Sequence, residues 1–127
     1  MVDAIFRVKA NVSKAWARRV VEKVLRAEKA HRDVSVLITT DREIRKINKK
    51  YLKHDFATDV VSFDTGDLIV SAEYAKRYAR EHGIPYREEI ARYLVHGTLH
   101  LLGYDDKKKK DHARMHERQE SLLRRIL

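Results

Sequence analysis

The sequence predicts an α+β protein in one domain over residues 1–127, with a small mixed four-stranded sheet covered by about five helices. Three observations carry that expectation. Short β-rich runs, AIFRV (4–8) and VSVLIT (34–39), flank a long segment of helical periodicity. Two further runs, DVVSF (59–63) and DLIVS (67–71), are separated only by DTG, a turn composition that implies an antiparallel hairpin. No Pro/Ser/Gly-rich linker and no internal repeat divides the chain.

Taken in order, AIFRV opens the sheet. In NVSKAWARRVVEKVLRAEKA (11–30), Trp16, Val20, Val24 and Ala27 recur at helical spacing and place a helix before the second strand. Asp41 is a residue type that caps helices, and REIRKINKKY (42–51) puts Ile44, Ile47 and Tyr51 on one face. After the hairpin, AEYAKRYAREHG (72–83) ends on a glycine suited to a helix C-terminus. Pro85 then opens YREEIARYLVHGTLHLLG (86–103), which stops at Gly103. A last helix over roughly 109–127 directs Met115, Leu122 and Ile126 inward.

The formal charge is +9, from 28 Lys and Arg against 19 Asp and Glu, and the excess is spread along the chain. That balance favours a polyanionic partner, chiefly nucleic acid. Lys, Arg and Glu enrichment is also a thermophile's surface composition, so charge alone does not decide. No apolar run approaches the roughly 20 residues that span a bilayer, and the start lacks the apolar core of a signal peptide. A soluble, cytoplasmic protein with no membrane partner is expected. Without cysteine, thiolate catalysis, disulfides and Cys-ligated zinc are excluded, and a metal site must use histidine and carboxylate.

The segment HGTLHLLGYDD (96–106) concentrates the chemistry. His96 and His100, four apart on a helix, project from one face within reach of a single ion. Gly103 permits the left-handed turn that swings a third ligand, Asp105 or Asp106, back over the imidazoles. Three protein ligands plus water form an open, catalytic zinc arrangement, in which the water loses a proton near neutral pH. Two satisfied helix histidines are the structural alternative. Some zinc proteases share the spacing, but they carry a glutamate general base beside the first histidine, where this chain has Gly97.

The segment resembles the signature of the YbeY family of bacterial rRNA maturation endoribonucleases, His-Gly-x-Leu-His-Leu-x-Gly-Tyr-Asp-His. INKKY (47–51), TDVVSF (58–63) and GDLIVS (66–71) are similar to that family's other motifs in the same order, and Met115 falls where the family has a methionine. The resemblance implies a metal-dependent, single-strand-directed endoribonuclease in rRNA processing and ribosome quality control, with rRNA and ribosomal subunits as partners. It implies His96, His100 and Asp106 as ligands of one divalent ion, zinc, acting catalytically through its bound water; Asp105 is a further proton-transfer candidate. Asp106 stands where the family has a third histidine, and Leu52 where it carries an arginine. Lys53 and His54 are imperfect substitutes, lacking a guanidinium fork. With Lys107, Lys108, Lys109 and Lys110 they are the RNA-binding candidates. The hairpin loop is shorter than the family's. The competing reading is a noncatalytic RNA-binding ribosome-assembly factor whose metal pins the last two helices.

Other residues have plainer readings. His112 and His116 form a second four-residue pair on a polar segment, with His112 as reserve ligand. Asp59 and Asp67 are expected to organise turns, or to support a ligand histidine. Ser62 and Asn48 lack a base partner. Among Tyr51, Phe56, Tyr86, Tyr93 and Tyr104, most are expected in the core, with Phe56 and Tyr104 exposed for stacking.

Overall fold

The computed structural model describes residues 1–127, in the order β1 (Val2–Phe6), α1 (Lys14–Ala27), β2 (Val34–Thr39), α2 (Asp41–Leu52), β3 (Val60–Ser62), β4 (Asp67–Ser71), α3 (Ala72–His82), α4 (Tyr86–Leu101) and α5 (Lys109–Ile126). The strands lie in the order β1-β2-β4-β3; β1, β2 and β4 are parallel, and β3 runs antiparallel on the edge. The expected α+β class, mixed sheet and five helices are all present.

The period-2 alternation of the strands divides the sheet into two faces. Ala4, Val36, Leu68 and Val60 turn toward α1 and α4 in the main core. Ile5, Leu37, Ile69 and Val61 form a row across the other face, where only α2 packs, through Ile44 and Ile47. Gly97 sets how close α4 lies to the sheet. A Cβ there would overlap Leu68 Cδ1 and press on Val60 Cγ2 at 3.1 Å. The Ser62 hydroxyl donates to the Gly97 carbonyl at 3.0 Å, tying β3 to the same turn.

Three local expectations are corrected. The N-cap of α2 is Thr40, whose hydroxyl accepts from the Glu43 amide; Asp41 is instead the first helical residue and accepts from Ser71 and Arg77. β1 begins at Val2 because its pairing with β2 runs from Val2↔Val34 to Phe6↔Ile38. Tyr51 is 60% exposed, since it borders an open groove over Ile5, Leu37 and Ile69 instead of packing into the core. No helix is long and apolar enough to cross a membrane.

Gly97→Ala is expected to cost about 1–3 kcal/mol in urea unfolding, the range for overpacking a filled core. Leu68→Ala should cost less in that background than in the parent, a favourable coupling in a double-mutant cycle.

Candidate metal centre

His96 and His100 lie one turn apart on α4, next to the backbone that Gly97 presses onto the sheet. Their rings meet edge to face, with centroids 4.7 Å and Nε2 atoms 3.1 Å apart. Each Nδ1 has its own partner: His96 Nδ1 lies 2.7 Å from Gln119 Oε1 and His100 Nδ1 lies 3.0 Å from the Tyr104 carbonyl oxygen. Both partners only accept, so each Nδ1 carries the ring proton and each Nε2 presents a lone pair. Two lone pairs facing each other at that distance repel unless a cation lies between them. Asp106 Oδ2 is 3.4 Å from His100 Nε2, and the three donor atoms fall within 4.8 Å of one another. A tetrahedral ion with bonds of about 2.0–2.1 Å holds its donors about 3.3 Å apart, close to the two separations at His100 Nε2, so the group could hold one ion.

Burial is the main influence on His96 and lowers its pKa, with His100 adding to the effect; Gln119, Asp59 and Asp106 oppose it. The net result favours neutral imidazole, the form that binds metal.

Two networks hold the donors. Arg92, one turn before His96, bonds Glu89 and reaches α5 at Glu120 with 3.0 and 3.1 Å contacts. Glu120 accepts from Gln119 Nε2 at 2.9 Å, which orients the amide so that its oxygen faces His96. On the other side, Gly103 at φ 99° reverses the chain after α4, a backbone conformation that glycine adopts without strain. Tyr104 OH donates to Glu28 Oε1 at 2.5 Å, and Arg118 donates twice to Glu28 Oε2 at 3.1 and 2.7 Å. Burial pushes the Glu28 carboxyl up, and its hydrogen bonds from Tyr104 and Arg118 together pull it below its usual range. Glu28 thus stays ionised while anchoring the loop whose carbonyl orients His100.

The other candidates are dispersed. Asp105 Oδ1 accepts from the Lys107 amide at 2.9 Å and shapes the turn into α5. Lys107, Lys108, Lys109 and Lys110 are exposed around the start of that helix. Lys53 terminates α2 at φ 59°, and His54 stacks on Phe56 in the exposed stretch that follows. Leu52 is 41% exposed. His112 and His116 stack on the outside of α5, apart from the donor group. Asp59 accepts from the Val60 amide and Asp67 from the Thr65 hydroxyl, so both organise turns, while the Asp59 charge is also felt at His96. Asn48 donates to the Phe56 carbonyl. Tyr93 is buried and Tyr86 half-buried; Phe56 is exposed, but Tyr104 is half-buried on Glu28 rather than free to stack. Gln119 and Glu28 escaped the sequence reading because they meet the metal segment from 23 and 76 residues away, and Arg118 because it acts through Glu28, 90 residues from it, without a spacing signal.

Fold and site together define a small α+β protein in which two histidines and an aspartate at the end of a buried helix form a group that could hold a metal ion. A family model described as Endoribonuclease YbeY matches residues 3–127. The Endoribonuclease YbeY of Persephonella marina is 37% identical, over 83% of this chain and 77% of its own length. That of Porphyromonas gingivalis is 35% identical, over 92% and 80%. The chain belongs to the YbeY family. The solution structure of TM1509 from Thermotoga maritima superposes with a TM-score of 0.75 over 99% of this chain and 89% of that one; at 24% identity it is a likeness of fold.

Gln119→Ala is expected to weaken metal binding about 10–100-fold, as loss of an outer partner to a ligating histidine does, with thermal stability of the metal-free protein changed little by comparison. Competition with a chromophoric chelator measures it. A pH dependence follows from His96. Its folded pKa lies below 6.5, so between the two values the unfolded chain binds more protons. The metal-free protein should lose stability as pH falls through about 6.5, with the loss complete below the folded value. Urea midpoints of chelated protein across that range check this, and His96→Ala should flatten the profile.

Proposed function

We propose that this protein is a metal-dependent endoribonuclease that cuts single-stranded RNA in the cytoplasm, in rRNA maturation and ribosome quality control. His96, His100 and Asp106 hold one divalent ion, zinc by the donor set of two imidazoles and a carboxylate. The convergence of both Nε2 atoms with Asp106 Oδ2, while each Nδ1 faces an acceptor, carries the reading. An ion seated there supplies Lewis acidity toward water and a phosphodiester.

The chain's own residues do the rest. Gln119 and the Tyr104 carbonyl fix both ring tautomers, so the lone pairs are aimed before any ion arrives. Asp106 adds negative charge, which binds a cation but makes it a weaker Lewis acid than a third imidazole does. Asp105 is engaged with the Lys107 amide, so we give it the turn rather than proton transfer. The exposed lysines 107–110 begin beside Asp106 and offer charge to phosphate, as do Lys53 and His54 at the end of α2. The exposed, apolar Leu52 supports one other reading, a noncatalytic assembly factor that binds rRNA and ribosomal subunits with the same metal as a staple.

Chelator-sensitive cleavage of single-stranded RNA, measured in single turnover with metal content quantified in parallel, separates the two. Asp106→Ala should lose metal and cleavage together, and Asp106→His should tighten zinc binding. Leu52→Arg should raise the cleavage rate about tenfold or more, the scale of one well-placed charge on a reacting phosphate, with little change in affinity. Cleavage at the chelated background in parent and Leu52→Arg alike, with metal bound, would favour the assembly factor.

A further inference from the structure

The face of the sheet opposite α4 is only partly covered. Beside α2 it leaves a groove of about 580 Å³ lined by Ile5, Leu37, Ile47, Tyr51, Phe63 and Ile69, among others. Two of its large apolar side chains are exposed, Ile5 at 57% and Tyr51 at 60%. Tyr51 stands edge-on to Phe63 with centroids 5.6 Å apart, which leaves aromatic surface toward solvent. Its polar lining is Arg7, Ser35, Thr65 and Asp67.

The rim is cationic. Arg7 lines the groove and reaches Glu43 on α2 at 2.7 Å, which locates the Glu43 side of that helix over β1. Lys46 and Lys50 continue the same stripe at helical spacing, and neither forms an ion pair, unlike Arg45 and Lys49, which share Asp55. Lys50 Nζ lies 5.2 Å from the Tyr51 ring centroid. An apolar floor with an exposed aromatic ring, beside exposed lysines on the adjoining turns of α2, fits a nucleobase with its flanking phosphates. An acidic peptide fits less well, because it brings no planar base to the exposed Tyr51 ring.

We infer that this groove is a second contact for single-stranded RNA, in which a base stacks on Tyr51 and the adjoining phosphates meet Lys46 and Lys50. The inference rests on the RNA reading above and extends it to a surface outside the metal centre. Only β3 separates the two: Phe63 at its end lines the groove, while Ser62 bonds the carbonyl next to His96 on the opposite face. RNA held at Tyr51 is thereby anchored on the face of the sheet opposite α4 and the ion site.

The test is fluorescence anisotropy with a labelled single-stranded RNA and excess chelator, alongside cleavage assays with metal. Tyr51→Ala should weaken binding about tenfold, the scale of one lost base–aromatic stack, and Tyr51→Phe should keep near-parent affinity. Lys46→Gln with Lys50→Gln should lower the log–log salt slope by about 1.4, two phosphate contacts at about 0.7 each. The surface position of all three side chains keeps these variants folded, which circular dichroism verifies. Parent-like affinity and slope in the variants would overturn the groove, and parental cleavage would then leave the nuclease reading standing. Tyr51-dependent RNA binding without cleavage in any protein would sink the nuclease reading and keep the groove. Tyr51-dependent binding of polyglutamate, with RNA affinity unmoved, would show that the groove takes acidic peptide and overturn the inference.

Discussion

The contact between Gly97 and Leu68 is the constraint on which the rest of the molecule depends. A helix carrying any larger residue there would stand off the sheet, because the space that a Cβ needs is already filled. Close approach fixes the depth and rotation of α4 together. With Gly97 and Thr98 facing inward, His96 and His100 are left on the helix margin, partly exposed and within reach of one ion. The same contact explains why a glutamate base of the zinc-protease type has no place beside the first histidine: that position is core.

Precision at the donors comes from charged groups that are themselves buried or half-buried. Glu89 is 3% exposed and Arg92 lies between it and Glu120, so α4 and α5 are joined in one register through a network that ends on Gln119. Such pairs add little net stability, since desolvation offsets much of the attraction, but they disfavour any other arrangement of their partners. Glu28 does the same from the end of α1 by tying Tyr104 to Arg118. Each histidine of the proposed site is thereby oriented by a different pair of helices.

The distribution of charge is consistent with a polyanion as substrate. Carboxylates that would neutralise lysines are drawn into structural pairs: Glu28, Glu89 and Glu120 into the helix junctions, and Glu43 onto Thr39 and Arg7. Lysines at the start of α5 and along α2 remain in solvent. The +9 balance therefore acts at the surface, where it governs association more than fold.

Local pattern determined a great deal: strand and helix periodicity, the Asp-Thr-Gly turn, the stop at Gly103, and the four-residue histidine spacing that puts two imidazoles on one face. These features depend on residues a few positions apart, which is why sequence shows them. The motif resemblance added Asp106 and the family. Only the tertiary structure decided that Tyr104 is anchored rather than free, and that Gln119 and Glu28 hold the His96 and His100 rings in place. Those outcomes depend on which helices pack together. Contacts across as many as 90 residues of chain leave no periodicity to read, because their geometry is set by core packing and not by position along the backbone.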